Sequence, residues 1–341
     1  MRSVRLRNGL LVAGGLVLAV GLLALWMIVE LEFPTRRSRQ GPGTVRIPTG
    51  ASLRQVMDLL ADSGWVRQPR LLALWGRREG WDRRLLPGRY RILQGSSPRQ
   101  VLAEIGSGRV ETTRVMIPEG WRASQILSLL ADSLEVDPED LHAAAEDSTW
   151  LRSLGLPVPS LEGYLFPETY IFPKEYEPRE ALARMVRESD ARFGEDLRRQ
   201  CAARGLDRFS VVVLASIVQA EAARREEMPR IASVFLRRLR LGWKLEADPT
   251  VLYALARSSG PVLWKDLKVE SPYNTYRVHG LPPGPIGNPG TEALRAVLWP
   301  DTTRGELYFV AKGNGEHCFS RTLAEHDRAR REIRVSNGEN R

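Results

Sequence analysis

Cysteine and histidine are scarce. The 341 residues contain only Cys201 and Cys318, and only His142, His279, His317 and His326. None of them stands in a CxxC, HExxH or related spacing. The usual zinc patterns are therefore excluded, and no metal site or cofactor is expected. Two distant cysteines could close one disulfide in an oxidising compartment, but the sequence leaves that open. Lysine is almost as rare, at five of the 50 basic residues. Aromatic residues make up 7%, and the arginines are scattered rather than clustered with them, so no nucleic-acid module is visible. The net charge of +9 would suit an anionic polymer or an anionic membrane surface. It would equally result from arginine used wherever a basic residue is tolerated.

One local absence says more. Residues 9–29 carry no charge at all. That length matches the roughly 20 apolar residues needed to cross a bilayer core. The stretch is long for a signal peptide and ends without a small-residue cleavage pattern, so an uncleaved transmembrane anchor is expected. Arg2, Arg5 and Arg7 precede it, which places the N-terminus in the cytoplasm, although Arg36, Arg37 and Arg39 follow it. Residues 33–43 are mostly Pro, Arg, Ser, Gln and Gly and read as a linker.

A strand–turn–helix pattern then recurs three times. TVRIPTGASLRQVMDLLADSG begins at Thr44, GRYRILQGSSPRQVLAEIGSG at Gly88, and TTRVMIPEGWRASQILSLLADS at Thr112. Gly50, Gly95 and Gly120 occupy the turns, at offsets of 45 and 25 residues. Such uneven spacing argues for a few small βα units and against a solenoid. Residues 68–80 between the first two should form a helix burying Leu71, Leu72, Leu74 and Trp75. The units loosely resemble LysM-like glycan-binding modules, and plain structural packing is the alternative. Residues 137–154 and 177–205 each read as one helix.

The stretch VVVLASIVQAEAA, residues 211–223, has an apolar run closed by Glu221. Helical spacing puts Leu214, Ile217 and Glu221 on one inward face. A carboxyl on such a face loses solvation and its pKa rises, which suits a general acid that later acts as a base. The alternative is that Glu221 marks the helix end or pairs with Arg224 or Arg225. Pro229 opens a further helix that stops near Gly242. Asp248-Pro249 reads as a helix N-cap followed by a first-turn proline. Eight of the twelve residues from His279 to Gly290 are Gly or Pro, so this loop is irregular and stiff. Thr291 should cap the helix after it. A hairpin over residues 307–319 and a last helix from Leu323 follow.

ASIVQAE, ADPTVLYAL, SPYNTYRVHGLPPGPIGNPG, LYFVAKGNGEHCFS and LEGYLFPETY together resemble the signature blocks of the YceG-like family, the endolytic murein transglycosylases known as MltG. The resemblance runs from about Thr44 to Asp327. It implies cleavage of the β-1,4 bond between N-acetylmuramic acid and N-acetylglucosamine, leaving 1,6-anhydro ends. Many family members have two glutamates two residues apart in the signature helix. Here the first position is Gln219, so the acid/base role carries over to Glu221. Asp248, Thr250, Tyr253, Asn274 and Tyr276 match motif positions with implied substrate-binding or positioning roles. The resemblance also implies nascent glycan strands as substrate, peptidoglycan synthases as neighbours, and a single-pass inner-membrane protein whose catalytic domain is extracytoplasmic.

The expected fold is α+β. Residues 1–32 form the cytoplasmic tip and transmembrane anchor, 33–43 a linker, 44–135 LysM-like modules and 136–335 a mixed α+β catalytic domain. Two other readings stay open. One is a hydrolytic muramidase that adds a second carboxylate, Asp248 or Glu246. The other is a non-catalytic glycan-binding scaffold of cell-wall synthesis.

Overall fold

The computed structural model describes the backbone of residues 2–48 and 50–336, with side chains from residue 14 onward. The first helix, α1 (Arg2–Glu32), continues through the whole charge-free stretch. Within Gly14–Gln40 its apolar window has a mean hydropathy of 2.2, and none of it is buried. By length and composition this helix can cross a membrane. The side chains of Arg2, Arg5 and Arg7 lie outside the described residues. A short α2 (Arg36–Gln40) follows, capped by the Thr35 hydroxyl.

The chain divides into two compact units, Met1–Thr113 with Ile171–Glu177 and Arg114–Tyr170 with Pro178–Arg341. The first unit holds β1 (Gly43–Ile47), α3 (Leu53–Asp62), α4 (Pro69–Arg78), β2 (Gly88–Ile92) and α5 (Pro98–Gly106). Strands β1 and β2 pair antiparallel, with Val45 opposite Tyr90. Gly50 and Gly95 turn the chain with φ of +74° and +79°, where a side chain would be strained. Ser52 with Gln55 and Ser97 with Gln100 form capping boxes that start α3 and α5. Their inner faces meet in an apolar core of Val56, Leu60, Tyr90, Val101 and Ile105. In α4 only Leu72 of the four expected residues is fully buried. Leu74 is 69% exposed because it falls on the opposite side of the helix, and Gly76 takes the inward place against Trp81 and Leu53.

Strand β3 (Thr112–Met116) pairs with β4 (Thr169–Pro173) in a second two-stranded sheet. The second unit then contains α6 (Ala123–Leu134), α7 (Pro138–Glu146), α8 (Ser148–Ser153), α9 (Pro178–Arg192), α10 (Glu195–Arg204), α11 (Arg208–Glu221), α12 (Met228–Arg240), α13 (Asp248–Ala254), α14 (Thr291–Leu298), β5 (Tyr308–Ala311), β6 (His317–Ser320) and α15 (Leu323–Ser336). The architecture is mixed α+β. Two expected single helices are each split. Asp147 ends α7 and caps α8 through Thr149 and Trp150. Residues 193–194 separate α9 from α10, where Phe193 turns into the core and Gly194 restarts the helix. Helix α11 is central and packs against α10, α12, α13 and α14. Cys201 and Cys318 are both free thiols.

Candidate active site

Helix α11 begins where the Asp207 carboxylate accepts the Ser210 N–H at 2.8 Å. Its next turns, from Val211 to Val218, are buried without exception. Two polar side chains on α11 reach the Gly/Pro loop. The Ser216 hydroxyl donates to the Val213 carbonyl at 2.7 Å and accepts the Ile286 N–H at 3.0 Å. Gln219 Oε1 accepts the Gly290 N–H at 3.1 Å. The loop also lies close on Gly163, whose φ is +86°. A Cβ there would fall 2.5 Å from Pro285 Cγ and 2.8 Å from a Val212 methyl. Thr291 is the first residue of α14, and Gly290 holds the cap position without a side-chain bond.

Glu221 is the last residue of α11. Neither neighbouring arginine is its partner, since Arg224 pairs with Glu316 at 2.7 Å and Arg225 with Glu119 at 3.3 Å. Burial pushes the Glu221 pKa up to about 8, and the nearby Asp248 charge pushes the same way. Arg238 and the Asp248 backbone N–H oppose the rise but do not cancel it. The residue as a whole keeps intermediate accessibility, so a crowded carboxyl still has an open side.

Asp248 is exposed and is the first residue of α13, not its cap. Ala247 takes the cap position, with no side-chain bond. The Asp248 carboxylate instead accepts the Tyr276 hydroxyl at 2.6 Å. Burial, and then the bond to Asp248, raise the Tyr276 phenol well above its ordinary range. Behind this pair lie Thr250 and Asn274, both fully buried. The Thr250 hydroxyl donates to the Ala247 carbonyl at 2.7 Å and meets the Thr275 hydroxyl at 2.8 Å. Asn274 donates to the Leu267 and Val269 carbonyls at 3.0 and 2.9 Å and accepts the Tyr276 N–H at 3.0 Å. They brace the turn that presents Tyr276 and have no surface to offer a ligand. Glu246 is exposed, has a left-handed φ of +53°, and accepts from Arg238 at 3.3 Å.

Tyr253 turns to a second group that sequence reasoning missed. Its hydroxyl donates to Glu162 at 3.3 Å, and the Arg122 guanidinium lies 4.8 Å from its ring centre. Glu162 is 8% exposed and accepts the Ala123 N–H at 2.9 Å and the Asn288 amide at 3.1 Å. Burial raises its pKa to about 7 against these bonds. An open cleft of about 400 Å³ runs past Arg122, His142, Ser160, Glu162 and Tyr253. The available signal was a carboxylate, Glu162, at the head of an aromatic run, which must be paired or neutral if buried. Arg238 was also missed. It is 7% exposed and donates to the Leu307 and Leu245 carbonyls at 2.9 and 2.7 Å. Among the described residues, no group of three or more His, Cys, Asp or Glu side chains could hold a metal ion.

The YceG-like family pattern matches residues 45–332. An endolytic murein transglycosylase of Bacillus subtilis strain 168 is 29% identical over 321 residues, covering 90% of this chain and 89% of that protein. One from Streptococcus pneumoniae serotype 2 is 26% identical, covering 92% of this chain and 62% of its own length. A crystal structure of a yceG-like protein from Listeria monocytogenes superposes with a TM-score of 0.60 at 29% identity, over 84% of this chain and 99% of that one.

Proposed function

The chain belongs to the YceG-like family, and from that premise we infer that it is an endolytic murein transglycosylase with Glu221 as its acid and base. The observation that carries the assignment is a carboxyl at the end of a buried helix, raised to about 8 and still accessible. At neutral pH Glu221 is therefore protonated. It donates that proton to the glycosidic oxygen as the bond from C1 of N-acetylmuramic acid breaks. The resulting carboxylate then takes the proton of the same sugar's C6 hydroxyl as that oxygen bonds to C1. The product is a 1,6-anhydro ring, no water is consumed, and Glu221 ends protonated as it began. Burial keeps Glu221 protonated in the resting state, and the negative charge of Asp248 adds to that effect. Tyr276 fixes the Asp248 carboxylate. Thr250 and Asn274 are positioning residues, and Tyr253 belongs to a binding wall beside Glu162 and Arg122.

The proximity of Asp248 also supports a second reading, a muramidase that uses it as the second carboxylate. The full chain in detergent, incubated with purified peptidoglycan beside a Glu221→Gln control, separates the two by the mass of the new ends. Ends one water lighter than the hydrolysis product, formed only by the intact glutamate, identify the transglycosylase. Ends carrying the water identify the muramidase. Binding without new ends in both proteins leaves only the scaffold.

The apolar helix serves as a single-pass anchor, with the basic N-terminal tip in the cytoplasm and the chain from residue 33 onward outside. An anchored site stays near newly made strands and the synthases that make them, and residues 33–43 are not a loose linker, since Ser38 of α2 is buried and donates to the Ser96 carbonyl at 2.6 Å. A reporter fused at either end, read for its compartment, tests this topology. The first two βα units act as LysM-like glycan contacts. An open groove of about 730 Å³ beside β2 and α5, with Arg91, Gln94, Gln100 and Arg109 among its walls, supports that role.

A further inference from the structure

Trp264 is 86% exposed, more than any other large apolar side chain among the described residues. Leu263 beside it is 48% exposed, and Lys265 and Lys268 flank the pair on the surface. An indole presents a large apolar face, and here most of it is open to solvent. Yet the loop that carries it is firmly built. Asp266, 9% exposed, accepts the Leu263 N–H and the Arg257 guanidinium, each at 2.9 Å. Arg257 also donates to the Pro261 carbonyl at 3.0 Å, closing the loop on itself. Buried polar groups thus hold Trp264 out, where a mobile loop would have let it fold back.

The base of this loop stands on the candidate site from two sides. The Arg257 carbonyl accepts from Arg122, which lines the cleft with Glu162 and Tyr253. The Leu267 and Val269 carbonyls accept from the Asn274 side-chain amide, whose Oδ1 takes the N–H of Tyr276, the residue that holds Asp248. A rigid aromatic face joined to both halves of a site that acts on a polymer is placed for the parts of that polymer outside the bond being cut.

We propose that Trp264 is a stacking platform for a sugar ring of the glycan strand, a subsite outside the scissile pair, with Lys265 and Lys268 facing the acidic peptides that the strand carries. This rests on the reading of the chain as a murein transglycosylase. An indole offers a broad apolar face to the C–H side of a pyranose, and its exposure leaves that face free until the strand arrives.

The test uses the full chain in detergent with Trp264→Ala and Trp264→Phe. Trp264→Ala should raise KM for long strands roughly ten-fold, as expected for losing one good aromatic contact. It should leave kcat, the pH profile and Tm unchanged, and Trp264→Phe should recover most of the loss. A short oligosaccharide that spans only the scissile bond should be cut equally by all three. Binding is read separately by co-sedimentation with insoluble peptidoglycan in a Glu221→Gln background, where Trp264→Ala should weaken retention. If the wild-type chain cuts nothing, the functional reading falls while sedimentation still judges the subsite. Unchanged KM and unchanged sedimentation overturn the subsite and leave the activity standing. So does a quenching of tryptophan fluorescence by brominated phospholipid vesicles that is larger in the wild type than in Trp264→Phe, the anchor's Trp26 being quenched in both, which would place the Trp264 indole in the membrane surface.

Discussion

The two units bury different things. In the first, the core is aliphatic and aromatic, the buried polar side chains are the small hydroxyls of Thr35, Ser38 and Ser97, and charged side chains work at the surface, in ion pairs such as Arg109–Glu104. In the second, Glu162, Arg238, Thr250, Asp266, Asn274 and Asn288 are all buried. Their carboxyls differ accordingly. Partial burial pushes Glu111 up, but Arg91 and Arg89 outweigh it and hold the carboxyl below its ordinary range. In Glu162 and Glu221 burial wins, pushing them up to about 7 and about 8, and the opposing charges of Arg122 and Arg238 do not cancel it. A fold that only had to be stable would use the first arrangement throughout, since burying polar groups costs free energy even when they are bonded. The second unit accepts that cost where chemistry is needed.

The sharpest test is Glu221→Gln. It should lower the cleavage rate by roughly a thousand-fold, within the range for losing a general acid, while sedimentation with peptidoglycan is retained. Next is Asp248→Asn. With Glu221 as the proposed acid, the alkaline limb of the rate profile should reflect loss of its proton, near pH 8 in the wild type. Removing the Asp248 charge should lower the Glu221 pKa, so the limb should move to lower pH, by about one unit for a close pair. A profile that stays put would mean that Asp248 does not act on Glu221.

Helix α11 was legible because an unbroken apolar run closed by a carboxylate announces a buried segment, and every residue from Val211 to Val218 is buried. The turn glycines were legible for a similar local reason. Glu162 was not, because its neutral burial depends on Ala123, Tyr253 and Asn288, which lie 39, 91 and 126 residues away. Asp248-Pro249 had the look of a cap, and only the chain's return through Tyr276 gives that carboxylate its partner. The motif blocks brought Thr250 and Asn274 forward together with Asp248, but which of them faces outward is a property of the packed turn. The breaks at Asp147 and at residues 193–194 are capping and packing events that periodicity cannot see.

Stability offers the next comparison. Gly163→Ala forces a left-handed alanine into Pro285 and Val212, and should cost about 2–4 kcal/mol in chemical denaturation. Glutamines at the two kinds of carboxyl should act with opposite sign. The Glu162 pKa is raised from 4.5 to about 7, so its contribution is complete below pH 4.5 and fades as pH rises through 7. Glu162→Gln keeps the acceptor for Ala123 and should be more stable than the parent at pH 8, by up to about 3 kcal/mol, with the gap closing by pH 4. The Glu111 pKa is lowered, so its contribution is present at neutral pH and is lost in acid. Glu111→Gln should therefore be less stable at pH 7, by about 1 kcal/mol, since Arg91 is largely exposed and solvent screens part of the pairing. Equal signs would remove the distinction between the units.

The smallest effect should come from Gln219, where this chain departs from the two-glutamate helix common in the family. The structure gives that side chain an acceptor's task, since its Oε1 takes the Gly290 N–H and so holds the end of the Gly/Pro loop against α11. A carboxylate oxygen can do the same, so Gln219→Glu should change the cleavage rate by less than about three-fold, given that it keeps the bond. Gln219→Leu removes the acceptor and leaves the Gly290 N–H without this partner. It should cost about 1–2 kcal/mol and loosen the loop, raising KM before it alters kcat. If Gln219→Glu instead moved the alkaline limb upward, the new charge would be acting on Glu221. The glutamine would then be part of how this chain sets the proton affinity of its acid, and not merely a tie for the loop.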